Sequence, residues 1–389
     1  MTGEVRLGDV TKIDVGFPFK SECFSENPQD IRLLRGDNIA QGRLRWAGVK
    51  RWPIGSPYDS RYALAPGDVV LAMDRPWIEA GLKQATVRDD DLPAVLVQRV
   101  ARLRGVDGKL DQGYLAAIVS SGSFSDYLVS VQTGSAVPHI SGRQIAEFSL
   151  RLPPIGEQRA IAEVLGALDD KIAANTKLAA TARELALAMV PTTGDRVTVL
   201  EFATLQKTQV DPGTLGDEVV DHYSLPAFDS GDGPELVEAR NIKSSKFVVS
   251  EPCVLISKLN PRFPRVWDLA RVNGRRALAS TEFLVLEPRE ISTSVLWSLL
   301  AQPSFGRALE SKVAGTSGSH QRVKPIEVLE ARVSDPRGWP EESRATIESL
   351  ASAAMAADAE NRTLAEMRDA LVPQLISGKL RVRAWTDEV

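Results

Sequence analysis

Cysteine is nearly missing from this chain. The two present, Cys23 and Cys253, lie far apart and form no Cys-x-x-Cys pair, so neither a disulfide framework nor a structural zinc site is expected. They read as reduced thiols of a cytoplasmic protein. Histidine is scarce as well, and His139, His222 and His320 have no metal-ligand spacing. No run of ~18 apolar residues exists, which argues against a transmembrane helix. The opening MTGEVRLGDV has no basic-then-apolar signal. Walker-type phosphate loops, His-Glu-x-x-His and Gly-x-Ser-x-Gly are all missing. Charge of one sign is also lacking: the net charge is −4, a mild argument against a nucleic-acid binder. The acidic excess lies mainly in residues 341–389. Residues 240–276 instead hold Arg240, Lys243, Lys246, Lys258, Arg262, Arg265, Arg271, Arg275 and Arg276 against only Glu251 and Asp268. A local field of that sign can hold phosphates in an acidic chain, although it also suits a solvated basic face.

What the chain does contain is repetition. Gly134-Ser135, His139, Ile145 and Glu157-Gln158-Arg159-Ala160 have echoes in Gly315-Thr316, His320, Ile326 and Glu342-Ser343-Arg344-Ala345. A long amphipathic stretch follows each. In the first, a heptad places Ile161, Val164, Leu168, Lys171, Asn175, Leu178, Ala182, Leu185 and Met189 on one seam. In the second, the seam is Ile347, Leu350, Ala354, Ala357, Asn361, Leu364, Arg368, Leu371 and Leu375. One interval separates Ile161 from Ile347, Asn175 from Asn361, Leu178 from Leu364 and Leu185 from Leu371. Each seam therefore carries an Asn at the same position, a device that costs stability and fixes register. The residues expected to pair the two helices are Ile161, Leu168, Asn175, Leu178, Leu185, Ile347, Leu350, Asn361, Leu364 and Leu371. Pro340 suits the first turn of the second helix. Pro373 should bend or end it, and Gly378 is a plausible stop. A 33-residue helix spans roughly 50 Å, about 15 base pairs of duplex.

Residues 1–150 show short apolar runs (68–73, 94–97, 100–103) before a helix-compatible stretch at 111–131. Residues 197–335 repeat that order with 251–256, 282–286 and 294–309. The expected fold is α+β: two α/β modules and two long helices in an internal repeat, which the family resemblance given below makes two target-recognition domains separated by two long antiparallel helices, a coiled-coil spacer with a pseudo-two-fold internal repeat. The boundaries read as 1–152 (first domain), 153–192 (central helix), 193–339 (second domain) and 340–389 (distal helix and tail).

Two turn-rich loops, 132–141 and 314–322, lead into the helices. Glycine, small hydroxyls and exposed amides suit phosphate and base-edge contacts. Gln98, Arg99, Asn260 and Arg262 have side chains that read purine edges bidentately. The candidate DNA contacts are Arg35, Asn38, Arg75, Gln98, Arg99, Thr133, Ser135, His139, Ser141 and Arg143 in the first half. In the second they are Arg240, Lys243, Lys258, Asn260, Arg262, Arg265, Thr316, Ser317, Ser319, His320, Arg322 and Lys324.

The stretch GSAVPHISGRQIAEFSLRLPPIGEQRAIAEVLGALDDKIAAN (134–175), the closing LVPQLISGKLRV (371–382), the opening Leu7-Gly8-Asp9-Val10 and Leu34-Arg35-Gly36-Asp37-Asn38-Ile39 resemble the specificity (S) subunit of Type I restriction-modification systems. The resemblance runs over nearly the whole chain and is weakest at 197–335, where the corresponding elements read Ala239-Arg240-Asn241-Ile242 and Asp335-Pro336. It implies a non-catalytic chain whose two recognition domains each read half of a split site on double-stranded DNA. The paired helices then set the unread gap. It also implies two modification (methyltransferase) subunits as partners, methylating adenine N6 with S-adenosylmethionine. Restriction (translocase/nuclease) subunits using ATP and Mg²⁺ can join them. No cofactor is expected in this chain, and no membrane.

The residues offer little to the enzyme alternatives. Adenine methylation needs an Asn/Asp/Ser-Pro-Pro-aromatic loop beside a glycine-rich cofactor loop. The nearest match, Asn260-Pro261-Arg262-Phe263, has Arg where the second Pro belongs. Glu310-Ser311-Lys312 has the outline of a nuclease triplet without a clear acidic partner. A helical scaffold holding protein partners is the alternative from a different class.

Overall fold

The computed structural model describes residues 4–78, 81–134, 137–231, 233–261, 264–272, 274–312 and 321–382. The chain is α+β and divides into two compact units. The first comprises Met1–Lys171 and Leu364–Val389, and the second Ile172–Thr363.

The first unit opens with β1 (Glu4–Arg6), α1 (Leu7–Val10) and β2 (Thr11–Val15). Then come β3 (Ile31–Leu34), β4 (Arg51–Trp52), β5 (Val69–Ala72), β6 (Trp77–Ile78), β7 (Gly81–Leu82), β8 (Gln84–Thr86), β9 (Ala94–Leu96) and β10 (Val100–Gly105). It closes with α2 (Gln112–Ser120), α3 (Gly122–Val131), α4 (Gly142–Ala146), β11 (Ser149–Arg151) and the start of α5 (Ile155–Ala188). An antiparallel sheet has the order β2-β10-β5-β8, and a second has β4-β3-β9 with β3 and β9 parallel. Strand β5 is buried on both faces, as a continuous apolar run requires. Val69 and Leu71 face a core shared with α2, α3 and α4, while Val70 and Ala72 face a core with Leu34 and Leu96.

The second unit holds the remainder of α5, then β12 (Arg196–Thr198), β13 (Ala203–Gln206), β14 (Gln209–Val210), β15 (Val219–Tyr223), α6 (Leu225–Ser230), β16 (Glu235–Glu238) and β17 (Lys246–Val249). Then follow β18 (Cys253–Ser257), β19 (Val266–Leu269), β20 (Ala277–Ala279), β21 (Phe283–Pro288), α7 (Thr293–Leu300), α8 (Pro303–Glu310), α9 (Pro325–Leu329), β22 (Arg332–Ser334) and most of α10 (Glu341–Ile376). Its sheets run β13-β21-β18-β19 and β14-β17-β20-β15-β16, with β15 and β20 parallel. Strand β18 is again buried on both faces: Val254 and Ile256 point one way, Cys253 and Leu255 the other. Burial pushes the Cys253 thiol up to about 12, and Cys23 is the exposed cysteine.

Three helical expectations need correcting. The stretch 111–131 is two helices, because Ser121 caps the second (its Oγ accepts from Phe124 N–H) while donating to the Ile118 carbonyl of the first. The stretch 294–309 breaks likewise, with Pro303 opening α8. Pro373 does not end the last helix. That helix continues to Ile376, held by Val372 and Leu375 in the first unit's core, and Gly378 terminates it at φ +71°.

Within the first unit, Ile161 and Leu165 of α5 share the core with Val372 and Leu375, and Arg368 pairs with Asp169 at 3.0 Å. Within the second, the buried Asn175 amide donates to Glu360 at 2.7 Å and Asn361 donates to Thr176 at 3.1 Å. Ala179, Ala182, Ala354 and Ala357 form a small core with Leu350, and Ile347 joins the larger one. Both asparagines thus find partners, though not each other. Leu168, Leu364 and Leu371 are half-buried.

The expected seam of α5 is half wrong. Ile161, Leu168, Asn175 and Ala182 keep their places, but Leu178 and Leu185 are 53% and 51% exposed, and Val164 and Met189 are exposed too. The inward positions are Leu165, Ile172, Ala179 and Ala186, four residues on rather than three. One residue is about 100° of helix. Small side chains at 179, 182 and 186 let the facing helix approach, so the bulkier leucines stay outside.

Candidate nucleic-acid interface

In the first unit, three segments meet where β5 ends. Met73 N–H donates to the Arg99 carbonyl (2.8 Å) in the β9–β10 turn. Ile140 N–H donates to the Met73 carbonyl (2.9 Å), and Arg75 N–H to the Pro138 carbonyl (2.7 Å). The loop closes on itself through Thr133 and His139, which exchange backbone bonds of 2.8 and 2.7 Å. Gly134 makes that closure possible: its φ is +90°, and a Cβ there would stand 2.6 Å from the Val137 carbonyl oxygen. The Asp74 carboxylate accepts from Arg99 at 3.2 Å and lies 2.6 Å from His139 Nδ1.

In the second unit, β18 ends in a like arrangement. Lys258 N–H donates to the Glu282 carbonyl (2.8 Å), Val323 N–H to the Lys258 carbonyl (3.0 Å), and Asn260 N–H to the Gln321 carbonyl (2.9 Å). These bonds set Arg322, not His320, at the place His139 holds in the first unit. Here the acid sits on the turn: Glu282 accepts two hydrogen bonds from Arg322, at 2.9 and 3.0 Å. The guanidinium holds that carboxyl below its usual range.

Backbone strain concentrates at these clasps. Four described non-glycine residues have positive φ, and three are Arg75 (+44°), Arg99 (+69°) and Asn260 (+50°). Arg75 and Asn260 each precede a proline, which already disfavours the right-handed helical region. Such strain persists only where the surroundings impose it, and it clusters at functional sites.

The candidate residues divide accordingly. Arg75, Gln98, Arg99, Thr133 and His139 come together in the first clasp; Lys258, Asn260 and Arg322 in the second. Arg35, Arg143, Lys243 and Lys324 are exposed, Arg143 with Glu147 at 2.8 Å. Ser135, Arg262, Thr316, Ser317, Ser319 and His320 lie outside the described residues.

Four others are committed to structure. Asn38 is buried, its amide bonded to the Arg35 N–H and the Arg45 carbonyl. Ser141 caps α4. Arg265 forms a fork with both oxygens of Asp229 at 2.6 and 2.9 Å, and Arg240 pairs with Asp217 and Glu238. Four of the nine basic residues of segment 240–276 thus face an acid, since Arg276 meets Glu218 and Arg275 lies 3.8 Å from Asp221, and Lys246 is buried against Ser244. These acids all lie outside the segment, so a count within it could not find them.

Sequence reasoning missed Asp74, which orients Arg99 and His139, and Lys83. The Lys83 ammonium is held below its ordinary range by burial, with Asp37, Arg75 and Asp74 in its field. It also left Gln158 unexplained. That side chain is 2% exposed, accepts from Asp111 N–H (2.9 Å), and donates to the carbonyls of Lys109 (3.2 Å) and Pro153 (2.9 Å). It fastens the start of α5 to the turn before α2. Among the described residues no cluster of His, Cys, Asp and Glu could hold a metal ion, and no helix is long and apolar enough to cross a membrane.

Residues 2–183 match the family model described as Type I restriction modification DNA specificity domain. The chain is 34% identical over 176 residues to the Type I restriction enzyme EcoAI specificity subunit of Escherichia coli, covering 44% of this chain and 28% of that one. It is 33% identical over 171 residues to the MjaVIII specificity subunit of Methanocaldococcus jannaschii, covering 43% and 39%. The aligned stretch thus spans well under half of these relatives. In fold the chain is similar to the crystal structure of the Type-I restriction-modification system S subunit from M. genitalium, with a TM-score of 0.55, 12% identity and 96% of each chain covered. The similarity to the Type I restriction modification DNA specificity domain rests on residues 2–183, just under half of the chain.

Proposed function

We propose that this chain is the DNA-reading subunit of a Type I restriction-modification complex. Each clasp reads one half of a split target, and α5 and α10 form an antiparallel coiled-coil spacer that sets the gap. The chain performs no chemistry. Two modification subunits supply adenine-N6 methylation with S-adenosylmethionine, and restriction subunits, where present, cleave with ATP and Mg²⁺. The setting is the cytoplasm.

The observation that carries this reading is the matched clasp. Three backbone hydrogen bonds recur in each unit around a doubly buried strand, and each clasp carries a positive-φ residue ahead of a proline. Two grips of one design on one chain are what a split site needs, and this is the basis for the internal pseudo-two-fold repeat. Footprinting on duplexes selected by the chain tests it. Two protected patches flanking an unread stretch are expected; a helical scaffold for proteins would protect none.

Arg75 belongs at a base edge on this reading, because its strained backbone fixes where the guanidinium starts. Arg75→Ala should weaken binding by about 1–3 kcal/mol and relax specificity at one position of the first half-site. Unchanged sequence preference with a salt slope lower by about one would move Arg75 to a phosphate.

A further inference from the structure

The hairpin β6–β7 grows directly from the first clasp. Its base is fixed: Lys83 N–H donates to the Pro76 carbonyl at 2.7 Å, Gln41 donates to the Gly81 carbonyl at 3.2 Å, and the Leu82 side chain enters the core. From that base Trp77 and Ile78 project outward, 45% and 43% exposed. Val137, beside the Pro138 carbonyl that holds Arg75, is 44% exposed. Large apolar side chains on a rigid mount lose little freedom when a ligand covers them. They stand next to Arg75, with Arg99 and Lys83 in the same clasp; among the described residues Asp74 and Asp37 oppose them, and Glu79 follows Ile78 in the sequence. A few apolar groups ringed by cations are too small a patch for a protein core, and they match a polyanion with apolar faces inside.

We propose that the Trp77–Ile78 corner enters a groove of the first half-site and opens one base step, with Ile78 as wedge and the Trp77 indole stacked on the exposed base. Apolar wedges open base steps in this way, and aromatic platforms hold bases whatever their sequence. This deepens the DNA-reading assignment and rests on it. The corner makes the first half-site sensitive to how easily one step unstacks, a form of recognition that needs no hydrogen bond to a base.

The test uses the intact chain and duplexes it has selected from a random pool, with 2-aminopurine placed at successive positions of the first half-site. Binding should raise fluorescence several-fold at one step. Trp77→Ala should abolish the rise and weaken binding to the selected duplex by about 10- to 100-fold. Trp77→Phe should keep the rise. Half-exposed Trp77 carries little of the core, and circular dichroism of the variant checks the fold. If the wild type shows no rise anywhere, or Trp77→Ala matches it in fluorescence and affinity, the wedge is wrong and the DNA-reading assignment stands. If the wild type selects no sequence at all, that assignment falls and the wedge with it.

Discussion

Inserting one heptad into each long helix should move the two preferred half-sites apart by about three base pairs and leave the sequence of each half unchanged. The insertion points are Lys171/Ile172 and Thr363/Leu364, where each helix passes from one unit into the other. Seven residues add about 10 Å of helix, and duplex DNA rises 3.4 Å per step. A whole heptad returns the seam to the same face, so Asn175 keeps Glu360 and Arg368 keeps Asp169. A heptad in one helix alone leaves seven residues with nothing to pair with, and that variant should lose stability. Sequencing the duplexes selected by each variant reads the gap directly. A gap that does not change would sink the ruler and leave the two grips independent.

The second large effect is on stability. Arg102→Ala should destabilise the protein by about 3–5 kcal/mol, a large part of a typical domain's total. Arg102 lies on β10, 1% exposed, with its guanidinium on Asp14 of the neighbouring strand (2.6 Å) and on the Ala63 carbonyl (2.9 Å). Alanine leaves that carboxylate and that carbonyl without their donor, and leaves a cavity besides. Arg102→Met keeps most of the volume. Paired with Asp14→Ala it should recover part of the loss, because a buried ion pair is often replaceable by apolar groups when both partners go. Urea denaturation midpoints give the comparison. A loss under about 1 kcal/mol in Arg102→Ala would show that the pair is not a structural tie.

Much of this was legible in the amino-acid order, and the misses have definite causes. The apolar runs within 68–73 and 251–256 announced strands; that both faces of each are buried is seen only in the fold. The long helices announced themselves by period and by flanking prolines. The inward frame of α5 did not, because a hydrophobicity count ranks Leu178 above Ala179, whereas close helix contact favours the smaller side chain. Aligning His320 with His139 failed for a related reason. The count from a glycine ignores loop length, whereas the backbone bonds to Met73 and Lys258 fix equivalence and select Arg322. Arg265 looked available for phosphate because Asp229, its partner, comes 36 residues earlier. Pairings across sheets and loops are tertiary facts, and local spacing carries no trace of them.

Leu371, Val372, Leu375, Ile376 and Val382 pack into the same core as Leu7, Leu115 and Ile161. Vectorial synthesis gives this arrangement a temporal meaning. The amino-terminal unit is translated first, yet its core lacks a wall until the ribosome has released residue 382, 19 residues after the last residue of the other unit. The last unit to be made can therefore mature first. The earlier one waits with an apolar surface open, and that interval is when a nascent chain of this design most needs protection from aggregation.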